Sequence, residues 1–197
     1  MLLACARYHY LTAEQWCRVF ADPGKLRYVQ RRGRELATQD YLLRQHLARA
    51  PGAGKAPYVF TLGGKGRQHV ASLGVPVPQR FRPGDVSQLS PRHLAHSVAI
   101  SDVLLGFDRL ARQDDRIAIE DLRHERFLHE QRFKVAVPVV PPRTGERDKR
   151  IVEVVPDAFV RVVARAADGY RAFPLIIEVD RDTERQLAFR EKIANLY

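Results

Sequence analysis

Residues 74–91 place the strongest constraint on the fold, because this stretch contains four prolines and two glycines. Proline cannot donate a backbone hydrogen bond, so a stretch of this composition interrupts helices and strands. We interpret residues 76–91 as a linker and predict two domains, residues 1–75 and 92–197. A chain of 197 residues is long enough for both parts to bury a core.

Positive charge is concentrated in the first domain. Residues 1–80 contain 13 lysines and arginines against 4 acidic residues, a surplus of nine. Residues 81–197 contain 20 against 19, a surplus of one. A basic half indicates an acidic partner, and nucleic acid is the leading candidate, since phosphates attract a basic surface whatever the base sequence.

Composition and motifs disfavour several other classes of protein. No apolar run approaches the roughly 20 residues that cross a bilayer, so no membrane segment is expected. Arg7 and His9 interrupt the first residues too soon for a signal peptide. Cys5 and Cys17 lack the spacing of metal ligands, and we interpret them as small apolar residues of a cytoplasmic protein.

Helical periodicity predicts three helices in the first 39 residues. A short helix falls within residues 4–10, and the second begins at Thr12, which has the capping-box spacing to Gln15. The third helix spans residues 25–39. Its buried face is predicted to contain three apolar residues and one glycine that permits a close approach: Leu26, Val29, Gly33 and Leu36.

A hairpin and a fourth helix complete the first domain. Strands are predicted at residues 41–44 and 58–61, with a basic loop at 49–55, and a helix at 65–73. This order is typical of a winged helix-turn-helix, in which the third helix enters the major groove of double-stranded DNA. The predicted DNA contacts are Arg27, Gln30, Arg31, Arg34, Arg44 and Lys55. The alternative is a winged helix that binds protein.

The second domain has the pattern of an α/β core, so the chain as a whole is predicted to be α/β (α+β). Ser90 and Pro91 open a helix that ends near Gln113. Strands are predicted at residues 117–119, 133–140, 151–163 and 173–179, with an extended segment through Glu125 and a loop at 141–150. A last helix is predicted at 184–197.

Acidic residues lie at the ends of two predicted strands. Glu178 and Asp180 are two apart in one strand, so their side chains face the same side. If the strand containing Asp157 pairs beside it, three carboxylates converge. Such a cluster suits Mg²⁺ or Mn²⁺, and a bound ion activates water against a phosphodiester. The alternative is a solvated strand end at which acids are ordinary.

The second domain resembles the PD-(D/E)xK nuclease superfamily, in which a Pro-Asp and a (D/E)-x-Lys on neighbouring strands bind metal and activate water. Pro156-Asp157 fits the first motif, and Glu178 fits the acid of the second. The resemblance implies a restriction-endonuclease-like α/β domain, with Asp102 as an outer metal ligand.

The chain departs from the nuclease motif at one position. Asp180 stands where the superfamily has a lysine that orients water and stabilises charge on the phosphate. The departure implies either a degenerate nuclease that only binds, or a displaced cation, for which Lys192 and Arg181 are the candidates.

Further features along the chain are a histidine-bearing helix with His96, a Glu-Val-Asp-Arg-Asp-Thr-Glu segment at residues 178–184, and a terminal Lys192 and Tyr197. In these features the whole chain is similar to the replication-relaxation family of bacteria and their plasmids. His96 is interpreted as a buried hydrogen-bonding histidine, and Glu125 either as a strand-end acid or as a metal contact. The last predicted helix is uncapped at Tyr197, so we expect the native chain to continue.

This similarity implies a DNA-binding protein of plasmid or mobile-element replication, mobilisation or relaxation. Replication proteins or relaxases are then further expected partners. Three alternatives stay open from the sequence: an active metal-dependent DNA nickase, a non-catalytic transcriptional regulator, and an accessory protein that contacts a relaxase.

Overall fold

The computed structural model describes residues 1–20, 22–47, 56–79, 89–130, 133–139 and 148–180. Within these residues, helices alternate with small antiparallel sheets, which confirms the predicted α+β class. None of the described helices is long and apolar enough to cross a membrane.

The first part of the chain contains four helices around a three-stranded sheet of order β1-β3-β2. In chain order the elements are α1 (Leu2–Tyr8), β1 (Leu11–Thr12), α2 (Ala13–Val19), a 3-10 turn (Pro23–Lys25), α3 (Leu26–Thr38), β2 (Leu42–His46), β3 (Tyr58–Leu62) and α4 (Gly64–Ser72). The predicted helices and hairpin are confirmed. The two-residue strand β1 was not predicted, because it is too short to show an alternating pattern.

Local signals fix the ends and the packing of α2 and α3. Thr12 and Gln15 form the predicted capping box: Gln15 N–H donates to Thr12 Oγ1 at 3.2 Å, and Thr12 N–H donates to Gln15 Oε1 at 2.8 Å. On α3, the close approach predicted at Gly33 is confirmed, since a Cβ there would lie 3.0 Å from the ring of Phe60 and 3.1 Å from Trp16.

The second part begins with a long helix, followed by two antiparallel sheets of order β4-β7-β8 and β5-β6. Its elements are α5 (Pro91–Gln113), β4 (Ile117–His124), α6 (Glu125–Glu130), β5 (Phe133–Val139), β6 (Asp148–Val154), β7 (Ala158–Ala166) and β8 (Gly169–Ile177). The predicted N-cap of α5 is confirmed, because Ser90 Oγ accepts a hydrogen bond from His93 N–H at 3.2 Å.

Three predictions of strand bounds are wrong. The continuous strand expected at 151–163 is two strands in different sheets, interrupted at Pro156, which has no N–H to pair. The loop expected at 141–150 overlaps β6, which begins at Asp148. Strand β8 ends at Ile177, so Glu178 and Asp180 follow the strand instead of alternating within it.

The two parts of the chain share one hydrophobic core. It contains Trp16 and Phe60 from the first part, together with Leu104 and Val160 from the second, each at most 1% exposed. Helix α5 packs against both α1 and α2. The predicted domain bounds stay predictions, but the described parts of the two halves are in direct contact.

Two glycines in helices give a sharp test of this packing. A Cβ at Gly66, in α4, would lie 2.0 Å from the carbonyl oxygen of Tyr41, whereas a Cβ at Gly106, in α5, would meet no described atom within 4 Å. We expect Gly66→Ala to lower the free energy of unfolding by about 2 kcal/mol or more, because a backbone oxygen cannot move aside cheaply. Gly106→Ala is expected to raise it by about 0.5–1 kcal/mol through helix propensity. Urea unfolding measures both, and effects of the same sign would contradict the described packing.

Candidate functional site

One histidine and two carboxylates meet near the starts of α5, α6 and β7. His96, Glu125 and Asp157 each place a potential ligand atom within 4.8 Å of the other two. Their side chains are 25%, 7% and 13% exposed, respectively. Segments far apart in the sequence therefore form a single, mostly buried site, which we call the His–Glu–Asp cluster.

The helix α5 supplies one face of polar side chains to this site. Its N-cap at Ser90 sets the first turn, and residues three and four apart on a helix are neighbours on its surface. His93, His96 and Ser97 therefore lie on one face. The adjacent apolar residues Leu94 and Val98 turn toward a second small core and are buried.

Glu125 is held from α5 by two of these side chains. It is the first residue of α6 and is only 6% exposed. Ser97 Oγ donates a hydrogen bond to Glu125 Oε1 at 2.8 Å, and His93 Nε2 lies 3.5 Å from the same oxygen. These contacts offset part of the cost of burying a carboxylate.

Asp157 has a partner at each carboxylate oxygen. His96 Nε2 lies 3.0 Å from Oδ1, and the backbone N–H of Val179 donates to Oδ2 at 2.8 Å. The second contact follows from strand register, because Ala158 of β7 pairs with Ile177 of β8. The orientation of the Asp157 carboxylate is thus fixed by α5 on one side and by the end of β8 on the other.

The residues predicted as catalytic or metal-binding fall in different places. Asp157 lies in the cluster, and Glu178 is half-buried next to Val179, while Asp180 is exposed. Asp102 accepts hydrogen bonds from Gln15 Nε2 at 2.9 Å and from the Arg18 guanidinium at 2.5 Å, so its carboxylate contacts α2. Lys192 and Arg181 lie outside the described residues. The catalytic and metal-binding roles of all these residues stay predictions.

The sequence did not predict that His96 and Glu125 lie next to Asp157. His96 does make the hydrogen bond expected of it, but its partner Asp157 is 61 residues away. Glu125 bonds to a serine 28 residues earlier in the chain. The local signal that was available is the spacing of His93, His96 and Ser97 on a helix with a defined N-cap.

The predicted DNA-contacting residues of α3 are all on the surface. Arg27, Gln30, Arg31 and Arg34 are exposed and line a shallow depression together with Tyr28. We call this set the α3 surface. The guanidinium carbon of Arg31 lies 5.9 Å from the Tyr28 ring centroid, and Arg31 Nε lies 3.8 Å from a carboxylate oxygen of Glu35.

The predicted contacts of the hairpin are described in part. Arg44 is exposed on β2, with its guanidinium 5.0 Å from the ring centroid of Tyr58. Lys55 lies outside the described residues.

Comparison with known proteins gives one match. The family described as replication-relaxation matches residues 2–195, nearly the whole chain. No curated protein and no solved structure matches the chain.

His9 and His124 form a pair of buried histidines, and His124 directly precedes Glu125 of the cluster. Their rings stack with centroids 4.8 Å apart and planes 12° apart. Burial holds the pKa of His9 well below its ordinary value, and the neighbouring His124 and Arg126 lower it further. Burial also lowers the pKa of His124, to about 3, with a further contribution from Arg126. Both imidazoles are therefore neutral in the folded protein near neutral pH.

The histidine pair predicts a loss of stability in mild acid. Unfolded histidines protonate near pH 6.5, so below that pH the unfolded chain takes up protons that the folded chain excludes. We expect the free energy of unfolding to fall below about pH 6.5, by up to about 1.4 kcal/mol per pH unit for each histidine. For His124 this loss continues down to its folded pKa of about 3.

Urea unfolding at a series of pH values measures this dependence. His124→Asn is expected to reduce the slope below pH 6.5 by about 1 kcal/mol per pH unit, because asparagine does not titrate. His69→Asn, which changes an exposed histidine of α4, is the matched control. An unchanged slope in His124→Asn would contradict the assignment.

Proposed function

The chain belongs to the replication-relaxation family, and from that premise we propose that it is a DNA-binding protein of plasmid or mobile-element replication, mobilisation or relaxation. In this proposal the first part of the chain binds double-stranded DNA. The second part is a nuclease-like domain that has lost cleavage.

The element order of the first part supports a winged helix. Helices α1, α2 and α3 precede the β2–β3 hairpin, and β1, between α1 and α2, pairs with β3 to give the sheet order β1-β3-β2. In a winged helix the third helix enters the major groove and the hairpin loop contacts the flanking backbone. The α3 surface is then the recognition surface, and Arg44 with Lys55 belongs to the wing.

The observation that supports DNA binding most directly is the division of α3 into two faces. Val29 and Gly33 are buried against the core, whereas the arginines of the α3 surface are exposed. Among the described residues, Arg27 and Arg34 form no ion pair, so their charge is available to phosphates. Glutamine and arginine are also the side chains that read adenine and guanine edges in the major groove.

Loss of two arginines from the α3 surface is expected to weaken DNA binding. We expect Arg31→Ala with Arg34→Ala to lower affinity for a pool of random duplexes by about tenfold or more. The slope of log affinity against log salt is expected to fall by about 2, because two phosphate contacts are lost. Fluorescence anisotropy across a salt series measures both quantities.

A matched double variant separates specific contacts from total charge. Arg109 and Arg165 are exposed in the second part of the chain, so Arg109→Ala with Arg165→Ala removes the same charge elsewhere. This control is expected to retain most of the affinity and the salt slope. Equal losses in both double variants, or no loss in the α3 pair, would contradict recognition by α3.

The second part retains the acids of a nuclease but not its lysine. The pairing of β7 with β8 brings Asp157 to the end of β8, where Glu178 and Val179 follow. A divalent ion bound at Asp157 would supply a Lewis acid that activates water. Asp180, in the position of the motif lysine, offers no proton and no positive charge to a phosphate in the transition state. This supports binding without cleavage.

The position of Glu178 next to Val179, whose N–H donates to Asp157, also favours the second candidate function, an active metal-dependent nickase. A supercoiled plasmid incubated with the protein and Mg²⁺ or Mn²⁺ separates the two. We expect shifted but uncut plasmid with each ion and with EDTA. Metal-dependent nicking that disappears in both Asp157→Ala and Glu178→Ala would establish the enzyme and contradict a degenerate domain.

A further inference from the structure

We infer that the His–Glu–Asp cluster binds one divalent first-row transition-metal ion, with His96 Nε2 and one oxygen each from Glu125 and Asp157 as ligands. This ligand set differs from the all-carboxylate set predicted from the sequence, because it replaces Glu178, Asp180 and Asp102 by His96 and Glu125. It extends the proposed function and requires neither DNA binding nor cleavage.

The spacing of the donor atoms fits a small metal ion. Ligands about 2.1 Å from a metal lie about 3 Å from one another when adjacent in an octahedral shell, and about 3.4 Å in a tetrahedral one. The 3.0 Å between His96 Nε2 and Asp157 Oδ1 fits the octahedral spacing. All three donor atoms lie within 4.8 Å of one another, slightly more than the roughly 4.2 Å that two opposite ligands about 2.1 Å from an ion span, so small shifts bring all three to one ion.

The surrounding hydrogen bonds orient both carboxylates toward this position. Ser97 Oγ donates to Glu125 Oε1, and Val179 N–H donates to Asp157 Oδ2. Groups that hydrogen-bond to ligating carboxylates in this way fix their orientation and tune affinity for the metal. One of these donors comes from the helix α5 and the other from the backbone that follows β8.

The electrostatics of the cluster favour a cation. Glu125 and Asp157 are mostly buried and close enough to repel each other when both are ionised. Their ion-pair partners are His93 and His96, which are charged only when protonated. A divalent ion bound between the carboxylates compensates both charges without requiring protonated histidine.

The donor types decide which ion is preferred. Mg²⁺ favours oxygen ligands and keeps several waters, whereas imidazole nitrogen with carboxylate oxygen suits first-row transition ions. We therefore expect the site to bind Mn²⁺ or Zn²⁺ more tightly than Mg²⁺.

Isothermal titration of the full chain with Mn²⁺, Zn²⁺ and Mg²⁺, without DNA, tests the assignment. We expect one Mn²⁺ or Zn²⁺ per chain and binding of Mg²⁺ weaker by about tenfold or more. His96→Gln, Glu125→Gln and Asp157→Asn are each expected to weaken Mn²⁺ binding by about tenfold or more. Ser97→Ala keeps all three ligands and is expected to weaken Mn²⁺ binding by about tenfold. It replaces any ligand variant that circular dichroism shows to be unfolded.

Two carboxylate variants distinguish this ligand set from the predicted one. Asp102→Asn changes an exposed carboxylate of the same helix, and Glu178→Gln changes the acid of the nuclease motif; both are expected to retain Mn²⁺ binding. The inference would be overturned if Glu178→Gln loses Mn²⁺ binding while Glu125→Gln retains it. It would also be overturned if the unchanged chain binds no Mn²⁺ or Zn²⁺, or if all three ligand variants bind Mn²⁺ as tightly as the unchanged chain does. Because DNA is absent from this titration, its failure is distinct from a failure of DNA binding by α3.

Discussion

The packing of α5 against the first part of the chain is the constraint on which the rest of the structure depends. Ser101 Oγ donates to the carbonyl oxygen of Tyr8 at 2.8 Å, and the Asp108 carboxylate accepts from Arg7 and from the Tyr8 hydroxyl. Leu104 is fully buried in the shared core. These contacts fix the rotation of the helix about its own axis. A shift of one residue would turn each side chain by about 100° and would remove His96 from Asp157.

The same helix therefore links packing to the chemistry of the cluster. Its 23 residues extend over roughly 34 Å. The apolar and hydroxyl side chains of its middle belong to the shared core, while His93, His96 and Ser97 near its start meet Glu125 and Asp157. The core thus positions the cluster even though it contributes no donor atom to it.

How well the sequence predicts each local contact depends on how far apart in the chain the interacting residues lie. The capping box at Thr12 and the N-cap at Ser90 involve residues three apart, so a local pattern was sufficient. The cluster depends on contacts across 28 and 61 residues, which periodicity does not encode. The break at Pro156 was missed because the apolar alternation on both sides of it resembles one strand.

The charge distribution explains why an aspartate at position 180, where the nuclease motif has lysine, is compatible with the inferred cation site. In the proposed function the exposed arginines of the α3 surface attract phosphates, whereas Glu125 and Asp157 repel them as long as their negative charges are uncompensated. A lysine near these acids would reduce that repulsion and assist hydrolysis, whereas Asp180 adds a further negative charge to the segment that begins at Glu178. An aspartate in place of the motif lysine strengthens the attraction for a cation and removes a proton donor. If the inferred metal site and the proposed function both hold, such a site retains a metal without retaining catalysis, and this combination distinguishes a DNA-binding role from that of a nuclease.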